Sequence, residues 1–193
     1  MPSGPLSTFI VGGARSGKSG TAQRLATATG MPVTVIVTAD VELAQRSGDL
    51  DLIARIEKHK IDRPEGWTTI EAGAHVVKHL VQTNGTVIVD CVTMWLGALM
   101  MNSDDDLDAT EARIGAEVQD LIDAISARSS PTVVVSNEVG LGVIPATTSG
   151  ATFRDLQGRA NQILAAGCDR AVVMIAGQAV ALKPIESIIQ ELQ

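Results

Sequence analysis

The sequence predicts an α/β fold in which a mostly parallel sheet carries helices on both faces and ends in an antiparallel edge hairpin. Three observations predict it: short runs rich in β-branched residues, longer helical stretches between them, and a glycine-rich turn directly after the first run. The runs are continuously apolar, as in strands that are buried on both faces. Strands that alternate with helices form parallel sheets through right-handed crossovers. We therefore expect a single nucleotide-binding domain over residues 1–193.

The same pattern places the elements. Buried strands are expected at residues 8–11, 33–37, 86–90, 132–136 and 170–176. Helices are expected at 18–29, 49–60, 72–82, 92–101, 107–128 and 152–166. Residues 67–71 predict a further short strand. Gly177 and Gln178 predict a turn from the last long strand into residues 179–183, which forms the edge hairpin.

Composition argues against two classes of partner. The chain has 45% apolar residues, and its 22 acidic against 15 basic side chains give a net charge of −7. An acidic surface does not attract the phosphates of nucleic acids or of anionic lipids. We therefore expect no nucleic-acid partner, and any recognition of phosphate must be local.

The apolar pattern predicts a cytoplasmic protein without membrane insertion. Residues 1–8 carry no basic cluster ahead of the first apolar run. The longest apolar run, residues 171–182, is interrupted by Gly177 and Gln178 and is shorter than the roughly 20 residues that span a bilayer. Cys91 and Cys168 lie far apart in apolar surroundings, which predicts buried thiols rather than a disulfide or a metal cluster.

A phosphate-binding P-loop is predicted between the first strand and the first helix. The pattern G-x-x-x-x-G-K-[ST] is matched by Gly12, Gly13, Ala14, Arg15, Ser16, Gly17, Lys18 and Ser19. Glycines let consecutive backbone N–H groups curl around a β-phosphate, and the helix that follows adds the positive end of its dipole. Lys18 is expected to reach the β- and γ-phosphates, and the Ser19 hydroxyl to bind Mg²⁺.

Asp90 is the candidate second group for the metal. A P-loop enzyme needs a carboxylate at the end of a neighbouring buried strand, because Mg²⁺ keeps several waters that must be oriented. The apolar run at 86–90 ends in Asp90 and supplies this carboxylate. The alternative is that Asp90 only caps the helix that follows.

His59 is a candidate nucleophile. It is expected near the end of an amphipathic helix, among the basic residues Arg55, Lys58, Lys60 and Arg63. Cations around an imidazole favour its neutral, nucleophilic form, and they would also receive a triphosphate. The residues alone leave open the alternative of an ordinary surface histidine.

A long glycine-rich loop begins at residue 136, where a predicted strand ends. Open α/β sheets build their sites at the carboxyl ends of strands. The loop opens with Asn137 and Glu138, and such a loop is costly to order unless it serves a ligand. We expect both residues at the site; the alternative is an irregular surface loop.

The order of these segments resembles one enzyme family. The matching segments are GGARSGKS (12–19), RIEKHKIDRP (55–64), WTTIE (67–71), DCVTMWLGALM (90–100), SNEVGLGVIP (136–145), FRDLQGRANQ (153–162) and AGQAVALK (176–183). Together they resemble the bifunctional adenosylcobinamide kinase / adenosylcobinamide-phosphate guanylyltransferase family, from about residue 8 to 183. This order is more specific than the P-loop alone, since other P-loop families do not combine these motifs.

The resemblance implies a RecA-like P-loop fold and two reactions. In the first, ATP or GTP phosphorylates the hydroxyl of the aminopropanol arm of adenosylcobinamide. In the second, a histidine attacks the α-phosphate of GTP and releases pyrophosphate. The resulting guanylyl-histidine passes GMP to the cobinamide phosphate and gives adenosyl-GDP-cobinamide. The resemblance also implies a homo-oligomer, for which a trimer is expected.

Residue by residue, the resemblance maps the nucleophile onto His59 and the phosphate and Mg²⁺ contacts onto Lys18, Ser19 and Asp90. Glu138 is expected either to orient water on Mg²⁺ or to take the proton of the substrate hydroxyl. Nucleotide contacts outside the P-loop are expected from Arg63, Glu71, Asn137 and Arg154. Arg15, Arg63 and Arg154 are candidates to neutralise charge on the transferring group.

Two stretches depart from the family pattern, residues 41–56 and 143–155. Two other functions stay open. A small-molecule or nucleoside monophosphate kinase would need the P-loop and Asp90 but no nucleophilic His59. A nucleotide-dependent regulatory switch would need an exposed apolar patch or an interaction tail.

Overall fold

The computed structural model describes residues 7–39, 63–101 and 107–184, together with the separate positions 50, 53, 54, 56, 57, 187 and 190. The strands are β1 (Ser7–Gly12), β2 (Val33–Val37), β3 (Thr68–Glu71), β4 (Thr86–Asp90), β5 (Thr132–Val135), β6 (Arg170–Ile175) and β7 (Gln178–Ala181). The helices are α1 (Lys18–Ala28), α2 (Val76–Gln82), α3 (Val92–Met101), α4 (Leu107–Ser126) and α5 (Thr148–Gly167).

The seven strands form one sheet in the order β3-β2-β4-β5-β1-β6-β7. Neighbouring strands are parallel, and β7 alone pairs antiparallel, with β6. The predicted mostly parallel sheet with an antiparallel edge hairpin is therefore confirmed. Because β1 lies between β5 and β6, the turn that follows β1 is flanked by the ends of two strands.

Apolar residues on both faces of the sheet are buried, as the uninterrupted apolar runs predict. In β1, Phe9 packs into a cluster with α2, α3, α4 and α5, whereas its neighbour Ile10 packs into a cluster with α1 on the opposite face. Ile56 joins the α1 cluster. Trp95 is fully buried on the α3 side, where its indole N–H donates to the Ala74 carbonyl at 3.0 Å.

Two helices begin elsewhere than the sequence predicts. α2 starts at Val76 rather than at 72, because Gly73 has φ +52° and the His75 amide donates to the Ala72 carbonyl in a turn. α5 starts at Thr148, ahead of the predicted 152, because the Thr147 side chain caps it by accepting from the Gly150 amide. Of the helix predicted at 49–60, positions 50, 53, 54, 56 and 57 are helical, and the remainder lies outside the described residues.

The helices within the described ranges are all too short or too polar to cross a membrane.

Candidate active site

The predicted P-loop connects β1 to α1, and its glycines are required by its surroundings. A Cβ at Gly12 would lie 2.6 Å from the Met174 carbonyl oxygen, closer than two such atoms can approach. Gly17 has φ +99°, a left-handed conformation that glycine adopts without a steric penalty. The Ser16 amide donates to the Gly13 carbonyl at 3.3 Å and closes the turn. The loop therefore has the tight backbone that a phosphate cradle needs.

The N-terminus of α1 is built to receive an anion. Gly17 occupies the cap position without a side-chain cap, and the first turn carries no acidic residue. A helix leaves its first N–H groups without intrahelical partners, and its dipole makes that end positive. These amides are therefore available to phosphate oxygens.

Lys18 lies across this loop in a poorly hydrated position. It is only 8% exposed, and its Nζ donates to the Gly13 carbonyl at 2.6 Å. Burial lowers the pKa of Lys18, an effect that nearby Cys91 and Asp90 oppose. A partly desolvated cation has less hydration left to lose when it binds a phosphate.

A small pocket beside the P-loop brings Ser19 of α1 together with Asp90 of β4 and with Arg63. Its other lining residues are Ala22, Gln23, Val35, Ile88 and Val135. A hydroxyl and a carboxylate are the oxygen donors that Mg²⁺ takes when phosphates and waters complete its shell. Among the described residues, no group of three His, Cys, Asp or Glu side chains is placed to hold a metal by itself.

Acidic residues line the carboxyl edge of the sheet next to this pocket. Asp90 is in register with Val37, and Val37 in turn with Glu71 of β3. Burial lowers the pKa of Arg63, while nearby Asp90 and Glu71 oppose the shift. Arg63 also donates to the Thr69 hydroxyl at 2.6 Å. The structure thus gathers Arg63, Asp90 and Glu71 at one edge of the sheet, and their contacts with a nucleotide or a metal stay predictions.

The end of β5 runs alongside the P-loop. The Ser136 amide donates to the Ile10 carbonyl at 2.9 Å, and the Glu138 amide donates to the Gly12 carbonyl at 3.1 Å. The Glu138 carboxylate accepts from the Gly140 amide at 2.6 Å and is half-buried. Glu138 is therefore held by its backbone to the first residue of the P-loop.

Asn137 faces α3. Its backbone amide and its side-chain Nδ2 both donate to the Thr93 hydroxyl oxygen, at 3.1 and 2.9 Å. The Cys91 thiol lies 3.9 Å from the same Nδ2. The side chain thus anchors the loop, and its predicted nucleotide contact stays a prediction.

Two predicted arginines lie outside the pocket that holds Ser19 and Asp90. Arg15 is exposed on the P-loop, with φ +56°. Arg154 lies on α5 and pairs with Asp155 at 2.8 Å. Their predicted roles in neutralising charge stay predictions.

A separate cleft of about 400 Å³ lies between α4 and α5. Asp108, Glu111 and Arg159 contribute its polar lining, and Arg159 forms an ion pair with Glu111. Because no P-loop residue lines this cleft, it is distinct from the candidate active site.

His59, the predicted nucleophile, lies outside the described residues, as do Arg55, Lys58 and Lys60. The flanking positions are described. Ile56 is 7% exposed in the α1 cluster, and Arg63 lines the pocket with Ser19 and Asp90.

Sequence reasoning missed two supports of the site. The Gly177 amide, in the turn between β6 and β7, donates to the Ser16 carbonyl at 3.0 Å and braces the P-loop. Gln157 and Asn161 are buried on α5 and contact Ser136 at the end of β5. Their spacing, one turn apart beside the buried apolar residues of α5, is the signal that could have found them.

Comparison with known proteins assigns the chain to a family. The family described as "Cobinamide kinase / cobinamide phosphate guanyltransferase" matches residues 8–182. The bifunctional adenosylcobalamin biosynthesis protein CobU of Escherichia coli is 35% identical over 185 residues, which cover 91% of this chain and 98% of that protein. The corresponding protein CobP of Pseudomonas aeruginosa is 34% identical over 178 residues, covering 91% and 96%.

Among solved structures, the RadB recombinase aligns with a TM-score of 0.47 and 16% identity, covering 88% of this chain and 74% of that one. The family match spans the P-loop, the Asp90 strand end and the edge hairpin, and therefore includes every element of the site described above. The chain belongs to the cobinamide kinase / cobinamide phosphate guanyltransferase family.

Proposed function

We propose that this protein phosphorylates adenosylcobinamide with ATP or GTP and then transfers GMP from GTP to the resulting phosphate, through a guanylyl group on His59. The product is adenosyl-GDP-cobinamide, and the by-products are a nucleoside diphosphate and pyrophosphate. The observation that carries the proposal is the convergence of Lys18, Ser19, Asp90 and Arg63 around one P-loop in a chain of this family.

In the phosphorylation step, the substrate hydroxyl oxygen bonds to the γ-phosphorus while the bond from that phosphorus to the β,γ-bridging oxygen breaks. The P-loop amides and Lys18 hold the β- and γ-phosphates in place, so the donor is oriented before the acceptor arrives. Glu138 takes the hydroxyl proton. Its backbone bond to Gly12, at 3.1 Å, supports this role because it fixes the residue beside the phosphate cradle.

Mg²⁺ fits the pocket, because Ser19 and Asp90 present a hydroxyl and a carboxylate there. When bound, the ion would neutralise charge on the phosphate oxygens. Arg63, in the same pocket, adds a fixed positive charge that needs no metal.

In the guanylyl step, an imidazole nitrogen of His59 bonds to the α-phosphorus of GTP and pyrophosphate leaves. A phosphate oxygen of the cobinamide phosphate then attacks the same phosphorus, and the P–N bond breaks. Chain connectivity supports this role. His59 lies four residues before Arg63, a span of at most about 14 Å in extended chain. Arg63 lines the pocket with Ser19 and Asp90. A nitrogen nucleophile divides one difficult exchange into two displacements.

Two labels test the proposal. The protein is incubated with cobinamide, Mg²⁺ and either ATP labelled at the γ-phosphate or GTP labelled at the α-phosphate, and the corrinoid is separated. Both labels are expected in the corrinoid. Transfer of the γ-label alone would indicate a small-molecule kinase, and slow hydrolysis unaffected by cobinamide would indicate a regulatory switch.

We also propose that the protein is cytoplasmic and that it self-associates. Leu141, Val143 and Ile144 follow Glu138 and are 90%, 93% and 76% exposed, and apolar exposure of this kind is typical of contact surfaces. Cys91 and Cys168 are free thiols, as in a reducing compartment. Light scattering of the purified protein tests the expected trimer, and a monomer mass would contradict it.

A further inference from the structure

The helix α5 places two amide side chains on its buried face. Gln157 is fully buried and Asn161 is 8% exposed, one turn apart and beside the core residues Leu156, Ala160 and Leu164. Polar groups in such a position destabilise a core unless hydrogen bonds compensate them. The two amides belong to the FRDLQGRANQ segment, for which the reaction chemistry gives no role.

Their side chains hydrogen-bond to each other and to residues at the end of β5. Gln157 Nε2 donates to the Ser136 hydroxyl at 2.9 Å and to Asn161 Oδ1 at 3.0 Å. The Ser136 hydroxyl donates to the same Oδ1 at 2.7 Å. Asn161 Nδ2 then donates to the backbone carbonyl of Asn137 at 3.1 Å. The chain of contacts therefore ends on the backbone beside the P-loop.

The same backbone is held from two other directions. The Asn137 amide and side chain donate to Thr93 at the start of α3, and the Glu138 amide donates to the Gly12 carbonyl at 3.1 Å. Ser136 to Glu138 is thus fixed between two helices and the P-loop.

The network is not arranged for the greatest stability. Gln157 Oε1 is buried and has no hydrogen-bond partner within the described part of the chain. An unsatisfied buried acceptor destabilises the folded state. A buried amide with an unsatisfied acceptor fits a role in positioning neighbouring residues better than a role in stabilising the fold.

We propose that Gln157 and Asn161 are positioning residues, which hold the Ser136–Glu138 backbone against the P-loop so that Glu138 stays aligned with the transferring phosphate. The inference rests on the proposed function only for the role of Glu138. Neither amide touches the reacting atoms; both act through Ser136 and Asn137.

The first test compares Gln157→Met with Gln162→Met, in which an exposed glutamine of the same helix is changed in the same way. For Gln157→Met, kcat of phosphoryl transfer is expected to fall at least tenfold with KM for ATP within about threefold, because alignment rather than binding is lost. Thermal unfolding is expected to shift by less than about 5 °C. Gln162→Met should match the wild type.

Amide hydrogen exchange of the segment 136–140 gives a readout that does not depend on any activity. Exchange in this segment is expected to accelerate in Gln157→Met and to stay unchanged in Gln162→Met, since the amides of Ser136 and Glu138 pair with β1 and the P-loop. Unchanged exchange, or a loss of activity equal to the loss of folded protein, would overturn the inference.

A second pair applies if Gln157→Met does not fold. Asn161→Ala removes the Nδ2 group that donates to the Asn137 carbonyl, whereas Gln162→Ala removes an exposed amide of the same helix. The Asn161 variant is expected to reproduce the fall in kcat and the faster exchange, and the Gln162 variant to retain at least half of the wild-type kcat. Equal behaviour of the two variants would overturn the inference. A wild-type protein without transfer to cobinamide would refute the proposed function instead, and hydrogen exchange would still decide the positioning role.

Discussion

Ser19 and Asp90 line one small pocket, although Ser19 lies in the first turn of α1 and Asp90 at the end of β4. The parallel pairing of β4 with β2 and β5 puts Asp90 at the carboxyl edge of the sheet, where α1 begins. A helix that starts with free amides and a strand that ends in a carboxylate together offer sites for phosphate and for its metal.

Lys18→Met is predicted to abolish both activities without destabilising the fold. Burial lowers the pKa of Lys18, so the charged form is disfavoured in the folded state and its removal does not destabilise the core. Loss of its phosphate contact should lower kcat/KM by at least about 100-fold for both transfers. Activity assays and thermal unfolding on the same preparation check this; a lower Tm with proportionate loss of activity would show that the residue acts on folding.

Asp90→Asn is predicted to raise the Mg²⁺ concentration needed for turnover by about tenfold, because a neutral amide is a weaker ligand than a carboxylate. Turnover is measured across a Mg²⁺ titration at saturating nucleotide. Asp120→Asn, at an exposed position on α4, is the matched control. An unchanged Mg²⁺ dependence would indicate that Asp90 only caps the helix that follows it.

Gly12→Ala is predicted to destabilise the protein by roughly 1–3 kcal/mol, since its Cβ would lie 2.6 Å from the Met174 carbonyl oxygen and force the backbone to move. Gly13→Ala serves as the control for stability, because no atom lies within 4 Å of the Cβ it would add. Denaturant unfolding of the two variants makes the comparison. Equal stability of Gly12→Ala and Gly13→Ala would mean that β6 moves to make room for the methyl group added at Gly12.

Cys91 and Cys168 are predicted to resist alkylation in the native state. Burial raises the pKa of Cys91 to about 11 and that of Cys168 to about 12, from an ordinary 9.0. At about pH 8, native Cys91 should therefore react with iodoacetamide about 100-fold more slowly than after unfolding. Peptide mapping assigns the rates to each thiol; equal native and unfolded rates at Cys91 would contradict its raised pKa.

The same shifts fix how stability depends on pH. Unfolded thiols ionise near pH 9.0, whereas Cys91 in the native state ionises near 11 and Cys168 near 12. Their contribution to stability is therefore complete below pH 9 and is lost as the pH rises through these native values.

Strands were predicted more accurately than helix ends. The bounds predicted for β2 and β4 are confirmed, because each consists of a β-branched run buried on both faces, to which β4 adds only Asp90. The start of α5 at Thr148 was missed, since its residues favour loops and only the cap made by Thr147 starts the helix there. Capping is decided by local geometry that composition does not reveal.

The position of the P-loop could be predicted from the sequence, whereas the contacts that support the loop could not. Phosphate binding imposes a fixed spacing on residues 12–19, so the P-loop is visible in the sequence alone. One partner of Gln157 is Ser136, which directly follows β5, and sequence patterns do not say which strand end lies under which helix. For the same reason the contact between Gly177 and Ser16 appears only when β6 and β1 are paired.

His59→Ala is predicted to remove guanylyl transfer and to leave phosphorylation of cobinamide measurable, because the nucleophile acts only on the α-phosphate. His75→Ala, at an exposed histidine before α2, is the matched control and should keep both activities. Equal loss of both activities in His59→Ala would contradict the division into two reactions.

The most direct measurement incubates the protein with Mg²⁺ and GTP labelled at the α-phosphate, denatures it, and maps any acid-labile adduct by peptide. Label is expected on the peptide that contains His59, and none is expected in His59→Ala. A wild-type protein that transfers γ-phosphate to cobinamide yet acquires no α-label would contradict the guanylyl-histidine mechanism.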